Sequence, residues 1–393
     1  MSAVSKRPHP NLFTYATSEL SQDAFLCWLV EWANPEWAAS EPFLHKKATA
    51  FLRHLFSIAK PVAIDFPAVR AVEIRRQHFH ADIVLYITAE SGRQYAVIIE
   101  DKVNTKERGD QLDEYLKKIC EYAKNQLPCF SRSDLVCIYY KTGDQSDYSG
   151  VEGCGYAVVK REDMIGILRP ADEAEMTNAV YRDYYLHLCL LQEKVMLYES
   201  LCEPCWRILE RDGETVFPLW IGLFKKLQEI YRGRVADCNV GWDYANPRSG
   251  RFIVFWRSPA DLRGPDFTLY IQLEEGKYKN SGLCFKACWN SDCDSKEKRA
   301  EATGKLVEIG TDVVRERGVE AFVKRPNHIR WQKERKTFLL WRDYLVFGHD
   351  SRIDVEATFE NMRRAEDVIE EIAKRFFVLY PELRPVKGKD DYI

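Results

Sequence analysis

The stretch ADIVLYITAESGRQYAVIIEDKVNTKERGDQLDEYLKKI, residues 81–119, decides the fold. ADIVLYITA and QYAVIIED are short runs rich in β-branched residues, and Ser91-Gly92-Arg93 between them is a turn signal. A turn there makes the two runs an antiparallel hairpin. The start of the first, at Asp82, then meets the end of the second, at Glu100. Side chains alternate along a strand, so Glu100 and Lys102 share one face and Asp101 takes the other. Two carboxylates and one ammonium converge at one end of the hairpin. That set suits phosphodiester hydrolysis. Mg²⁺ prefers oxygen ligands and is held by one or two carboxylates plus a substrate phosphate. The cation polarises the phosphoryl oxygen and lowers the pKa of a bound water. A lysine beside it positions that water or stabilises the developing charge.

Working outward, VRAVEIRR supplies a strand before the hairpin, and LVCIYYKTG from Leu135 and YAVVK from Tyr156 supply two after it. A helix covers about residues 108–125. Upstream, QDAFLCWLVEWA keeps Phe25, Leu26, Leu29, Val30 and Trp32 at helical spacing, and a second helix runs from Pro42 to Ala59. The order helix–helix–three strands–helix–strand predicts an α/β fold, a mixed sheet flanked by helices. A long helix from about Glu175 to Glu210 closes this unit, giving domains at 1–210 and 211–393. The second is read as α+β: a helix at FPLWIGLFKKLQEIY, strands at RFIVFWR, FTLYIQLEE and LCFKACW, a charged helix over Ser295–Arg317, the strand-like TFLLWRDYLVFG, and a helix from Val355 to Phe376.

The chain has 393 residues, 46% hydrophobic and 13% aromatic, enough for packed cores. A net charge of −3 argues against a generic polyanion-coating protein, whose whole domain is basic. It is compatible with a site that needs acids for a cation and only a local basic rim for phosphates. No apolar run approaches a membrane helix, and Met1–Pro10 has no apolar signal core, so cytoplasm and no membrane are the expectation. The twelve cysteines read mainly as small buried hydrophobes. Cys202-x2-Cys205 with Cys284, Cys288 and Cys293 is a weak zinc pattern, lacking a second pair at finger spacing.

Asp82 followed by Glu100-Asp101-Lys102 resembles the signature of the PD-(D/E)XK nuclease superfamily, with Ala81 where proline is usual. Gln111-Leu112-Asp113-Glu114-Tyr115 resembles the QxxxY element of its RecB-like and exonuclease-like branches, and its Gln and Tyr share a helix face. Residues 19–29, ELSQDAFLCWL, resemble the opening helix of a bacterial, defence-type branch. The resemblance implies a restriction-endonuclease-like core. It implies Asp82, Glu100 and the Asp101 backbone carbonyl as ligands of Mg²⁺, or of Mn²⁺ in its place, with Glu19 completing the shell. Lys102 would orient the nucleophilic water, and Gln111 and Tyr115 would hold substrate phosphate or that water. DNA is the implied substrate, phage restriction the implied setting, and a homodimer or a defence-system protein the implied partner. The second unit's open roles are DNA binding, dimerisation or sensing.

Several residues have plainer readings. An acid near a helix start is favoured by the macrodipole alone, and Ser21 as a cap would leave Glu19 outside the helix. Gln111 and Tyr115 also read as core-rim residues, and Glu73, Arg70, Arg75, Arg76, Lys106 and Arg108 as solvated charges. His78 and His80 beside Asp82 invite a zinc reading, but exposed strand histidines are commoner. Trp242, Tyr244, Phe252, Phe255 and Trp256 read as stacking platforms or, more simply, as core. The competing functions are an inert nucleic-acid-binding module and a ribonuclease. Intact Asp82, Glu100 and Lys102 argue against the first, and no RNA-reading string supports the second.

Overall fold

The computed structural model describes residues 10–59, 63–103, 111–124, 131–199, 217–236, 239–245, 252–264, 266–274, 282–289, 295–326, 329, 335–350 and 352–385. Contacts divide the chain into two compact units, Met1–Lys194 and Val195–Ile393. The boundary expected at 210/211, the zinc pattern's Cys202, Cys205 and Cys293, and Lys106 and Arg108 all lie outside the described residues.

The first unit is built on a five-stranded mixed sheet in sequential order: β1 (Val69–His78), β2 (Ala81–Ala89), β3 (Gln94–Lys102), β4 (Leu135–Lys141) and β5 (Ala157–Lys160). The first three strands pair antiparallel; β3, β4 and β5 run parallel. Around them are α1 (Glu19–Glu31), α2 (Pro42–Ser57), α3 (Gln111–Lys124), α4 (Ser149–Gly153), α5 (Arg161–Leu168) and α6 (Ala179–Glu199). All seven residues of β4 are buried, as expected of a parallel strand covered on both faces.

Alternation divides the core. Ile83, Leu85, Val97, Ile99 and Ile138 face α1, α2, α5 and α6, packing on Phe25, Leu29, Phe51, Met164 and Tyr184. Val84, Ala96, Ile98, Cys137 and Tyr139 face α3 and α4, packing on Leu112, Ile119 and Val151. Two turns set the register. Gly92 takes φ 85° in the β2–β3 turn, a left-handed conformation open to glycine without a Cβ clash. The tight β1–β2 turn places Phe79 (φ 56°) and His80 (φ 72°) in that same region, where asparagine and glycine are usual.

Helix starts differ in one respect from expectation. Ser18, not Ser21, caps α1: its side chain accepts from Ser21 N, so Glu19 is the first helical residue. The segment Arg161–Leu168 and the short Ser149–Gly153 turn are also helical, neither of them anticipated.

The second unit is a six-stranded antiparallel sheet in the order β10-β11-β9-β8-β7-β6. Its strands are β6 (Val240–Ala245), β7 (Phe252–Arg257), β8 (Phe267–Glu274), β9 (Leu283–Trp289), β10 (Val323–Lys324) and β11 (Arg335–Trp341). Helices α7 (Phe217–Arg234), α8 (Lys296–Glu316) and α9 (Val355–Leu379) share one core with it. Trp242 and Phe255 are part of that core, which removes them as stacking platforms. No helix among the described residues is long and apolar enough to cross a membrane.

Candidate active site

The hairpin of β2 and β3 delivers the predicted residues to one place. Ile83 pairs with Ile99, so Asp82 and Glu100 stand one step beyond that pair on the same face. Asp82 is held at both oxygens: the Asp101 backbone N–H donates to Oδ2 at 2.9 Å and Gln77 Nε2 to Oδ1 at 3.2 Å. Lys102 donates from Nζ to Glu100 Oε1 and to the Asp101 carbonyl, the latter at 3.0 Å, and lies 3.6 Å from Asp82 Oδ2. The ammonium therefore sits among the oxygens of Asp82, Glu100 and Asp101, in a cradle that suits a cation.

Helix α3 closes the site from the same side. Gln111 Nε2 donates to Glu100 Oε1 at 2.7 Å and to the Tyr115 hydroxyl at 2.6 Å. The two residues are one helical turn apart, which lets one carboxamide bridge both. Glu19 reaches the end of β3 from α1, where its Oε1 accepts from Val103 N at 3.3 Å. Thus Asp82, Glu100, Lys102, Gln111 and Tyr115 meet directly, and Glu19 lies just past them at the end of β3.

Electrostatics follow burial. The Glu100 side chain is wholly buried, and burial pushes its pKa up to about 7 although Lys102 pulls it down. For Lys102, burial acts downward but Glu100 and Asp82 outweigh it, so the ammonium is held above its ordinary range.

Three features had not been anticipated. On the opposite face, Gln22 donates from Nε2 to Asp101 Oδ1, and Asp23 lies beside them, 1% exposed. Burial, with Asp82's charge adding to it, pushes Asp23 up to about 7; burial and Asp23 raise Asp101 well above the carboxylate range. The signal was the four-residue spacing of Glu19 and Asp23, which puts both on one face of α1. Level with Lys102 in the parallel register is Lys141, 1% exposed. Like Lys102, it ends an apolar strand in a charge, and that was its signal in the sequence.

The remaining candidates fall away from the centre. Glu73 pairs with Arg75 at 2.7 Å on an exposed part of β1. His78 packs against Phe79 and Tyr122, at centroid distances of 4.1 and 5.6 Å, and His80 is exposed in the turn.

Among the described residues, no three His, Cys, Asp or Glu side chains form a metal cage by themselves. Asp82, Glu100 and the Asp101 carbonyl could instead supply oxygen donors to a divalent cation, an all-oxygen set of the kind that hard cations prefer. Glu100 Oε2 is buried with no hydrogen-bond partner among the described residues, a further acceptor for a cation.

No curated protein and no solved structure matches the chain. A family model described as PD-(D/E)XK nuclease superfamily matches residues 10–188, which span the sheet, α1 and the whole of this constellation. On that match and this mixed sheet, the first unit belongs to the PD-(D/E)XK nuclease superfamily.

Proposed function

We propose that the first unit is a Mg²⁺-dependent deoxyribonuclease, with Asp82, Glu100 and Lys102 as its catalytic residues. The observation that carries this reading is the convergence of Lys102 Nζ on the oxygens of Asp82, Glu100 and Asp101 at the mouth of one hairpin. A divalent cation bound there would supply Lewis-acid polarisation of the phosphoryl oxygen and a water of lowered pKa.

The chain's own residues do the rest. Asp82 and Glu100 present carboxylate oxygens and the Asp101 carbonyl a third ligand. Gln77 and the Asp101 N–H fix the rotation of Asp82, and Gln111 fixes Glu100. Lys102, kept charged by its two carboxylates, donates to the attacking water and offsets negative charge as the new P–O bond forms and the ester bond opposite breaks. Gln111 and Tyr115, linked to each other and to Glu100, would hold a phosphate oxygen or the metal-bound water. Glu19, which reaches the end of β3 from α1, would complete the metal shell. The second unit would contact nucleic acid or a partner, and the defence-type motif of α1 supports a role against foreign DNA.

The test is degradation of labelled linear DNA, circular DNA and RNA with Mg²⁺ or Mn²⁺, wild type beside Lys102→Ala and Asp82→Ala. DNA cleavage that disappears in both variants and with EDTA supports the proposal. Cleavage of RNA alone, or no cleavage with either metal, overturns it.

A further inference from the structure

Asp101 serves the site with its backbone and is gripped from behind by its side chain. Its N–H donates to Asp82 Oδ2 at 2.9 Å, and its carbonyl accepts from Lys102 Nζ at 3.0 Å. The side chain takes the other face of β3, where it is fully buried and accepts at Oδ1 from Gln22 Nε2 of α1. Asp23, the next residue of α1, is 1% exposed and lies close enough to Asp101 and Asp82 to feel both carboxyl groups. Glu19, one turn earlier, accepts from Val103 N at 3.3 Å. The start of α1 therefore holds the end of β3 at Asp101 and again at Val103.

Packing alone does not account for this arrangement. The core on this face of the sheet is built of apolar side chains such as Phe25, Leu29 and Ile99. Asp101 Oδ2 and Asp23 Oδ1 are buried beside it with no hydrogen-bond partner among the described residues. Buried polar oxygens left in that state cost stability, and apolar side chains of similar size would fill the space more cheaply. What the polar groups supply is direction. An apolar contact tolerates sliding, whereas a hydrogen-bonded carboxyl fixes its own position. Fixing the Asp101 side chain fixes its Cα, and with it the aim of the N–H and the carbonyl on either side.

We propose that Gln22 and Asp23 are positioning residues for the cation site. They lock the Asp101 side chain from α1, and so keep the Asp101 N–H on Asp82 and the Asp101 carbonyl turned toward the cation, which neither of them touches. The anchoring belongs to the metal-free chain; its effect on cation binding rests on the function proposed above.

The test uses the full chain as wild type, Asp82→Ala, Gln22→Leu, Asp23→Leu and Asp23→Asn, with two readouts. Hydrogen–deuterium exchange without metal follows the Asp101 N–H. Exchange at the end of β3 should be about tenfold faster in both leucine variants, the loss of one buried hydrogen bond, with α2 and β4 unchanged. Binding of Mn²⁺, read from the electron paramagnetic resonance signal of the free ion, should weaken about tenfold in the same two variants, within the range for an outer-shell partner. Asp23→Asn should stay near wild type in both readouts, because its carboxamide keeps the size and supplies an N–H to Asp101. Unchanged exchange in both leucine variants, or unchanged Mn²⁺ affinity in both, overturns the proposal. So does a loss of Mn²⁺ affinity in Asp23→Asn with normal exchange, which would make Asp23 a ligand. Wild type binding Mn²⁺ no better than Asp82→Ala overturns the cation site itself and this proposal with it, so the two failures differ in whether the wild type binds.

Discussion

The backbone N–H of Asp101 donates to Asp82 Oδ2 at 2.9 Å, so the end of β3 fixes the carboxylate at the start of β2. Gln77 holds the other oxygen from the end of β1. Replacing Gln77 with Leu leaves Asp82 anchored at one oxygen only. The Mg²⁺ concentration for half-maximal cleavage should rise by about tenfold, within the range for loss of an outer-shell partner. A metal titration of DNA cleavage measures this, and an unchanged midpoint would remove Gln77 from the positioning set.

Lys102→Ala removes the ammonium while leaving both carboxylates. With the donor to the attacking water gone, kcat should fall by roughly 10²–10³ while DNA binding persists. Single-turnover cleavage together with a binding assay in Ca²⁺ separates the two quantities.

Gln111 bridges Glu100 and the Tyr115 hydroxyl. Gln111→Ala should therefore cost more than Tyr115→Phe, since only the former removes a donor from Glu100 and leaves Lys102 to hold it alone. We expect a loss of about 10–100-fold in kcat/KM for Gln111→Ala and less for Tyr115→Phe. Equal losses would mean that the phenol itself contacts the substrate.

In the second unit, burial, with Arg299's charge adding to it, pushes the Lys336 ammonium down to about 8 from 10.5. Below pH 8 the lysine is charged in both folded and unfolded chains, and the folded chain bears the cost of burying it. Between about pH 8 and 10.5 the unfolded chain keeps a proton that the folded chain has released, so stability rises with pH from this group. Lys336→Met, similar in volume, should stabilise the chain at neutral pH and remove that rise. Denaturant midpoints of both proteins across pH 7–10.5 provide the check.

Much of the first unit was legible because its signals are local. Asp82, Glu100 and Lys102 interrupt apolar strands, and alternation alone assigns their faces. The meeting of Gln111 with Glu100 was less so: the helix face is readable from spacing, but the packing of α3 on the sheet is not. Gln22 and Asp23 escaped because they sit at the head of a helix whose apolar spacing looked like core, and nothing local says that Asp101 lies opposite. Lys141 escaped for a related reason, since parallel register is a long-range property. Ser18 and Ser21 are equally good caps by residue type, so type alone does not choose between them. In the second unit β6 escaped because VGWDYA is short and carries a glycine at its second position, Gly241, which lies against the Trp256 ring. The other expected helices and strands lie within a few residues of where periodicity put them, except that TFLLWRDYLVFG is a strand only as far as Trp341 and the end expected near Glu210 for the long helix lies outside the described residues.

The alternation along β3 has a consequence for how this chain tolerates change in length. Glu100 and Lys102 look toward α3, whereas Asp101 looks toward α1. Deleting or inserting one residue between Gln94 and Ile99 would exchange those views, pointing Asp101 at the substrate side and burying Glu100 and Lys102 against Gln22 and Asp23. A two-residue change would keep the faces and shift only the depth. Length variation in this hairpin should therefore survive at the Ser91-Gly92 tip and be purged along the strand, with an odd–even signature that point substitutions never produce.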